Sequence, residues 1–157
     1  MSRPPVAPEL DQATRRALAV GLFNYTWTLL ENPNRTPAQD DEMIHAAHAS
    51  RYHWGGVGEV VNRARGEWQV SRVYSVLGRG EPALYHARRC LEIYEEMAAG
   101  REDWELGSAY EAMARASAVA GDRAASSEWR SRAVAELAII ADLEDRRVLE
   151  QDLATLP

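Results

Sequence analysis

The chain has 157 residues, 46% hydrophobic and 27% charged, which is enough for one domain with a buried core. Its single cysteine excludes an internal disulfide framework and points to a reducing, cytoplasmic setting, and its opening MSRPPVAPEL lacks the basic-then-apolar layout of a signal peptide. A formal net charge of -6 argues against nucleic acid as a partner, and no apolar run approaches the ~20 residues that a membrane helix needs.

All 18 basic residues are arginine, which reflects GC-rich codon usage. There are 26 alanines against five threonines, four isoleucines and one phenylalanine. Helix formers dominate and strand formers are scarce, so the composition predicts an all-α protein. Residues 1–8 carry Pro4, Pro5 and Pro8 and predict a loose tail. A first helix begins near Glu9 and Asp11. It carries Leu18, Leu22, Tyr25 and Leu29 on one face, widened by Phe23, Trp27 and Leu30. Asn32-Pro33-Asn34 ends it, giving 9–54 as an N-terminal helix pair. Thr36-Pro37-Ala38-Gln39 reads as a capping box with proline at the first helical position. The second helix it opens is predicted to stop at Gly55-Gly56. A third helix follows through Val57, Val61, Ala64, Trp68, Val73 and Leu77, broken at Gly78-Arg79-Gly80. A fourth, over 81–98, buries Leu84, Ala87, Leu91 and Tyr94. The fifth spans about 103–120, and Gly121-Asp122 separates it from a sixth. Asp142-Leu143-Glu144-Asp145 reads as a new cap, predicting a break and a short last helix over 142–155.

An offset of 41 residues aligns Gly66 with Gly107, Gly80 with Gly121, Glu81 with Asp122 and Ala83 with Ala124. Residues 57–98 and 101–141 thus read as one helical hairpin repeated, and neither copy can bury both faces alone. Leu106-Gly107-Ser108-Ala109-Tyr110 matches the L-G-x2-Y element of the tetratricopeptide repeat (TPR), and Ala125 with Trp129 matches its alanine-aromatic pair. Trp104 stands one position too close to match the tryptophan of that pattern. The family period is about 34 residues, so these hairpins are longer by two helical turns. Over 57–141 the chain resembles a TPR-like protein. The resemblance implies antiparallel helical hairpins in a short right-handed stack of about six to seven helices. It also implies that the first helix of each hairpin lines a groove for a peptide or partner protein.

Two groups of residues could carry function. Three of the four histidines lie between Asp40 and Trp54. On a helix, Asp41, His45, His48 and Tyr52 share one stripe, and Glu42 with His45 forms a Glu-x-x-His pair. No second such pair exists, which argues against a dinuclear centre. His45, His48, Asp41 and Glu42 remain candidate ligands for a single divalent transition metal, with Tyr52 and His53 nearby. A histidine acting as general base beside Tyr52 is the acid–base alternative. The second group is Asn62, Arg65, Gln69 and Arg72, polar residues at helical spacing on the third helix. They suit recognition of a peptide's carboxylates or backbone, and equally a solvated face, where Glu59–Arg63 and Arg63–Glu67 would pair. Cys90 and His86 read as structural. Trp27, Trp68, Trp104 and Trp129 fall on apolar stripes and read as core, whereas Trp54, beside three glycines, stands out as a pocket-edge residue.

Two readings follow. One is a non-enzymatic interaction module that binds a peptide or partner protein, or forms a homodimer through an apolar terminal face. The other is a small helical enzyme or metal-binding protein with its site on the second helix, closed by Trp27 and Glu31.

Overall fold

A computed structural model describes residues 7–157, so most of the proline-rich tail expected over 1–8 lies outside the described residues. The described residues form seven α-helices and no strand: α1 (Gln12–Leu30), α2 (Pro37–Val57), α3 (Val60–Val76), α4 (Gly80–Glu96), α5 (Glu105–Val119), α6 (Arg123–Glu136) and α7 (Leu143–Ala154). A single 3-10 turn, Leu137–Ile139, follows α6. None of these helices is long and apolar enough to cross a membrane.

Local chemistry sets the helix starts. Asp11 caps α1, its carboxylate accepting from the Thr14 amide at 2.8 Å. Thr36 and Gln39 exchange the two bonds of a capping box at the head of α2, with Pro37 in the first turn. Asp142 caps α7 by accepting from the amides of Glu144 and Asp145, at the break expected from the sequence. The second helix does not stop at Gly55-Gly56. Neither glycine takes a positive φ, so the helix runs through both to Val57 and ends at an extended Gly58.

Consecutive helices pair as hairpins, α1 with α2, α3 with α4 and α5 with α6. The hairpins join through α2 on α3 and α4 on α5. The first helices also touch one another in the order α1, α3, α5, with α7 packed on α5 as the last member of that layer. The result is an all-α stack of helical hairpins with α1, α3, α5 and α7 along one side.

The hairpin turns are built alike but not at the expected offset. Gly78 (φ 72°) ends α3 and Gly121 (φ 87°) ends α5. In each, the next residue's amide reaches back to the last turn: Arg79 to the Tyr74 carbonyl and Asp122 to the Ser117 carbonyl, both at 2.9 Å. Equivalent turns therefore stand 43 residues apart, and the glycine equivalent to Gly121 is Gly78. Gly80 does a different job as the first residue of α4. A Cβ there would stand 2.5 Å from the Ala120 Cα, so its missing side chain lets α4 start against the end of α5. Gly66 and Gly107 are both buried at close approaches, Gly66 against Arg51 of α2 and Gly107 against Leu149 of α7.

Three apolar clusters fill the stack. Leu29, Met43, Val70 and Val73 join α1, α2 and α3. Ala64, Ala87, Leu91, Tyr94, Ala109 and Met113 join α3, α4 and α5. Ala133, Ile140, Leu149 and Leu153 hold α7 and the turn before it against α5 and α6.

Candidate functional site

The side formed by α1, α3, α5 and α7 carries a groove of about 570 Å³, within the usual size range of ligand sites. Phe23, Trp27 and Glu31 of α1 form one wall. Asp145, Val148, Gln151 and Asp152 of α7 form the other. Arg65 and Trp68 of α3, Trp104 at the head of α5, Ser108 and Tyr94 lie between them. Trp27 and Trp68 meet with ring centroids 5.6 Å apart, tilted by 36°. Each groove tryptophan is partly buried. Aromatic faces of this kind supply apolar contact area and attract cations.

Of the two arginines predicted on α3, Arg65 lines this groove and Arg72 lies beside it, against Trp68 and Asp152. The Arg65 Nε donates to the Glu105 carboxylate at 2.5 Å while its guanidinium lies 5.2 Å over the Trp104 ring. The Arg72 guanidinium lies 5.0 Å over Trp68 and pairs with Asp152 at 3.0 Å and with Glu111 at 3.4 Å. Glu105 is fully buried and also accepts from the Glu102 amide and the Tyr94 hydroxyl. Burial pushes the Glu111 carboxyl up, against the pull of Arg72 and Arg115. Arg115 completes the system by donating to the carbonyls of Asp152 and Thr155, which ties the end of α7 to α5.

The other two residues predicted on α3 do not face the groove as free ligands. Asn62 accepts from the Glu59 amide at 2.9 Å and caps its own helix. Gln69 is fully buried and donates to the Phe23 carbonyl at 3.0 Å, joining α3 to α1. Glu67 is not on a solvated face with Arg63. It is buried, accepting from the Arg51 Nε at 2.8 Å and pairing with the His86 Nδ1 at 2.6 Å.

The histidine stripe of α2 comes apart in three dimensions. His45 and Asp41 are exposed, and Glu42 sits beside Tyr25, whose phenol it pushes up. His48 turns the other way, its Nε2 2.9 Å from the Tyr74 hydroxyl and its ring 5.3 Å from that of His86. Burial, then the neighbouring His86, holds the His48 imidazole below its ordinary pKa. Tyr52 is exposed and meets His53 edge-on. Among the described residues no three His, Cys, Asp or Glu side chains come together to hold a metal ion. The set His45, His48, Asp41 and Glu42 is thus not assembled, because a 41–45–48–52 stripe is wide enough for its members to face different neighbours. His86, which had no partner in the local sequence, finds Glu67 and Tyr74 through α3.

Trp68 and Trp104 pack against the apolar clusters, as their stripes predict, and together with Trp27 they also line the groove. Trp54, read as a pocket-edge residue, is buried against α1 with the Arg16 guanidinium 5.5 Å above its ring. Compared with family models, with curated proteins and with solved structures, the chain matches none.

Proposed function

We propose that this protein is a non-enzymatic, TPR-like interaction module that binds a peptide segment of a partner protein in the groove between α1 and α7. The observation that carries the reading is the aromatic lining of that groove. Trp27, Trp68 and Trp104, each only partly buried, line one connected space of about 570 Å³. Tryptophan is enriched among the residues that dominate binding energy at interfaces. The groove is also a product of the stack, because its walls come from the first and last helices and its floor from the middle ones.

The test is selection of a random peptide library displayed on phage against the immobilised protein, with Trp27→Ala and Trp68→Ala as counter-targets. Enriched peptides should bind the wild type and lose at least about tenfold in affinity for either variant, the scale of a truncated aromatic hot spot. Peptides that bind both variants as well as the wild type would place binding elsewhere and refute the groove.

A further inference from the structure

We infer that the occupant of this groove is a basic amphipathic segment, with a bulky apolar side chain seated against Trp27 and Trp68 and flanking Arg or Lys residues directed to Glu31 and Asp145. The inference rests on the groove being a binding site, and it adds the chemical class of the ligand. The lining carries three carboxylates, Glu31, Asp145 and Asp152, against one guanidinium, Arg65, whose Nε is given to Glu105; Arg72, outside the lining, pairs with Asp152 and Glu111. The lining is therefore net negative, opposite to the carboxylate-binding role expected for Arg65 and Arg72 from sequence.

The unspent charge is negative and lies on both walls. Glu31 at the end of α1 and Asp145 in the first turn of α7 have no ion pair among the described residues. Their neighbouring arginines are committed elsewhere. Arg35 is held by Asp40 at 2.7 Å and by the Asn32 carbonyl at 2.8 Å. Arg146 donates to the Ile140 carbonyl, and Arg147 pairs with Glu144. Desolvation, then the nearby carboxylates of Asp142, Asp103 and Glu102, pushes the Asp145 carboxyl up. The chain as a whole carries -6, so the long-range field has the same sign. An acidic segment would meet repulsion from both walls. A neutral apolar one would fill the aromatic floor but leave the walls unanswered. A basic amphipathic segment satisfies both.

The test uses three acetylated, amidated peptides of one design: Gly-Arg-Arg-Leu-Trp-Leu-Arg-Arg-Gly, its analogue with Gln for Arg, and its analogue with Glu for Arg. Affinities are measured by calorimetry for the wild type, for the Glu31→Gln/Asp145→Asn double variant and for Trp68→Ala. Two exposed pairs should favour the basic peptide over the acidic one by about fivefold to tenfold. That margin should shrink in the double variant and on raising salt from about 50 mM to about 500 mM. The neutral peptide should bind wild type and double variant alike, and Trp68→Ala should weaken all three. Acidic binding equal to or tighter than basic, or a margin that survives in the double variant, overturns the assignment of a basic occupant. If Trp68-dependent binding of the neutral peptide persists in that case, the groove itself stands. If none of the three peptides binds, both the occupant and the groove reading fall.

Discussion

Glu67 links three helices through one carboxylate. It accepts from Arg51 of α2 and from His86 of α4 while sitting on α3. Replacing it with alanine leaves two polar groups without their partner in a mostly buried place. Glu67→Ala should therefore cost about 2–4 kcal/mol, read from the denaturant midpoint. The same cluster sets a pH dependence. His48 has its pKa held below 6.5 in the fold, so below about pH 6.5 the unfolded chain binds more protons than the folded one, and stability falls with acid. Burial works to raise the Glu67 carboxyl, but the hydrogen bond from His86 and the charge of Arg51 outweigh it and hold it below the ordinary value, so its contribution is lost lower still, below about pH 4.5. His48→Gln keeps a partner for Tyr74 without the titrating ring. It should flatten the fall in urea midpoint between about pH 7 and pH 5.5, and leave the steeper loss at lower pH in place. An unchanged slope above pH 5.5 would show that His48 does not carry it.

At the scale of elements, the helix starts were legible because their signals are local. Thr36 with Gln39, and Asp142 ahead of Glu144 and Asp145, act within four residues of chain. The hairpin repeat was legible in outline and wrong in register. Gly78-Arg79-Gly80 offers two glycines, and only backbone geometry separates the one that ends a helix from the one that admits a neighbour. Substitution should separate them too. Nothing lies within 4 Å of a Cβ at Gly78, so Gly78→Ala pays only for its φ of 72°, about 1 kcal/mol, and Gly78→Asn should cost less. Gly80→Ala meets the Ala120 backbone at 2.5 Å and must displace α4 from α5. It should cost more than Gly78→Ala, and Gly80→Asn should not recover the loss. Thermal denaturation of the four variants reads the difference.

At the scale of the whole molecule, the groove was not legible because it belongs to no single helix. Trp27, Trp68 and Trp104 stand on α1, on α3 and at the head of α5, and each looks like core on its own helix. Only the layer that α1, α3, α5 and α7 build together brings the three along one groove. The α7 wall depends on two contacts: Leu149 entering the space left by Gly107, and Arg115 holding the carbonyls of Asp152 and Thr155. Arg115→Ala also strands buried Glu111 beside Arg72 alone. It should speed hydrogen exchange across 143–154 well before it affects α3 and α4, because α7 is the terminal element and opens first. Equal acceleration throughout the chain would mean that α7 does not open independently.

In the proposed function, the face built by α1, α3, α5 and α7 receives a partner segment. The most direct measurement is the set of five tryptophan indole N–H signals in a proton–nitrogen correlation spectrum, followed as the basic Leu-Trp-Leu peptide, unlabelled and therefore silent, is titrated into labelled protein. The signals of Trp27, Trp68 and Trp104 should shift together along one binding curve. Those of Trp54, buried against α1, and Trp129, stacked on Tyr110 at 5.7 Å, should stay in place. Shifts confined to Trp54 or Trp129, or no shift in any of the three groove tryptophans, would contradict it.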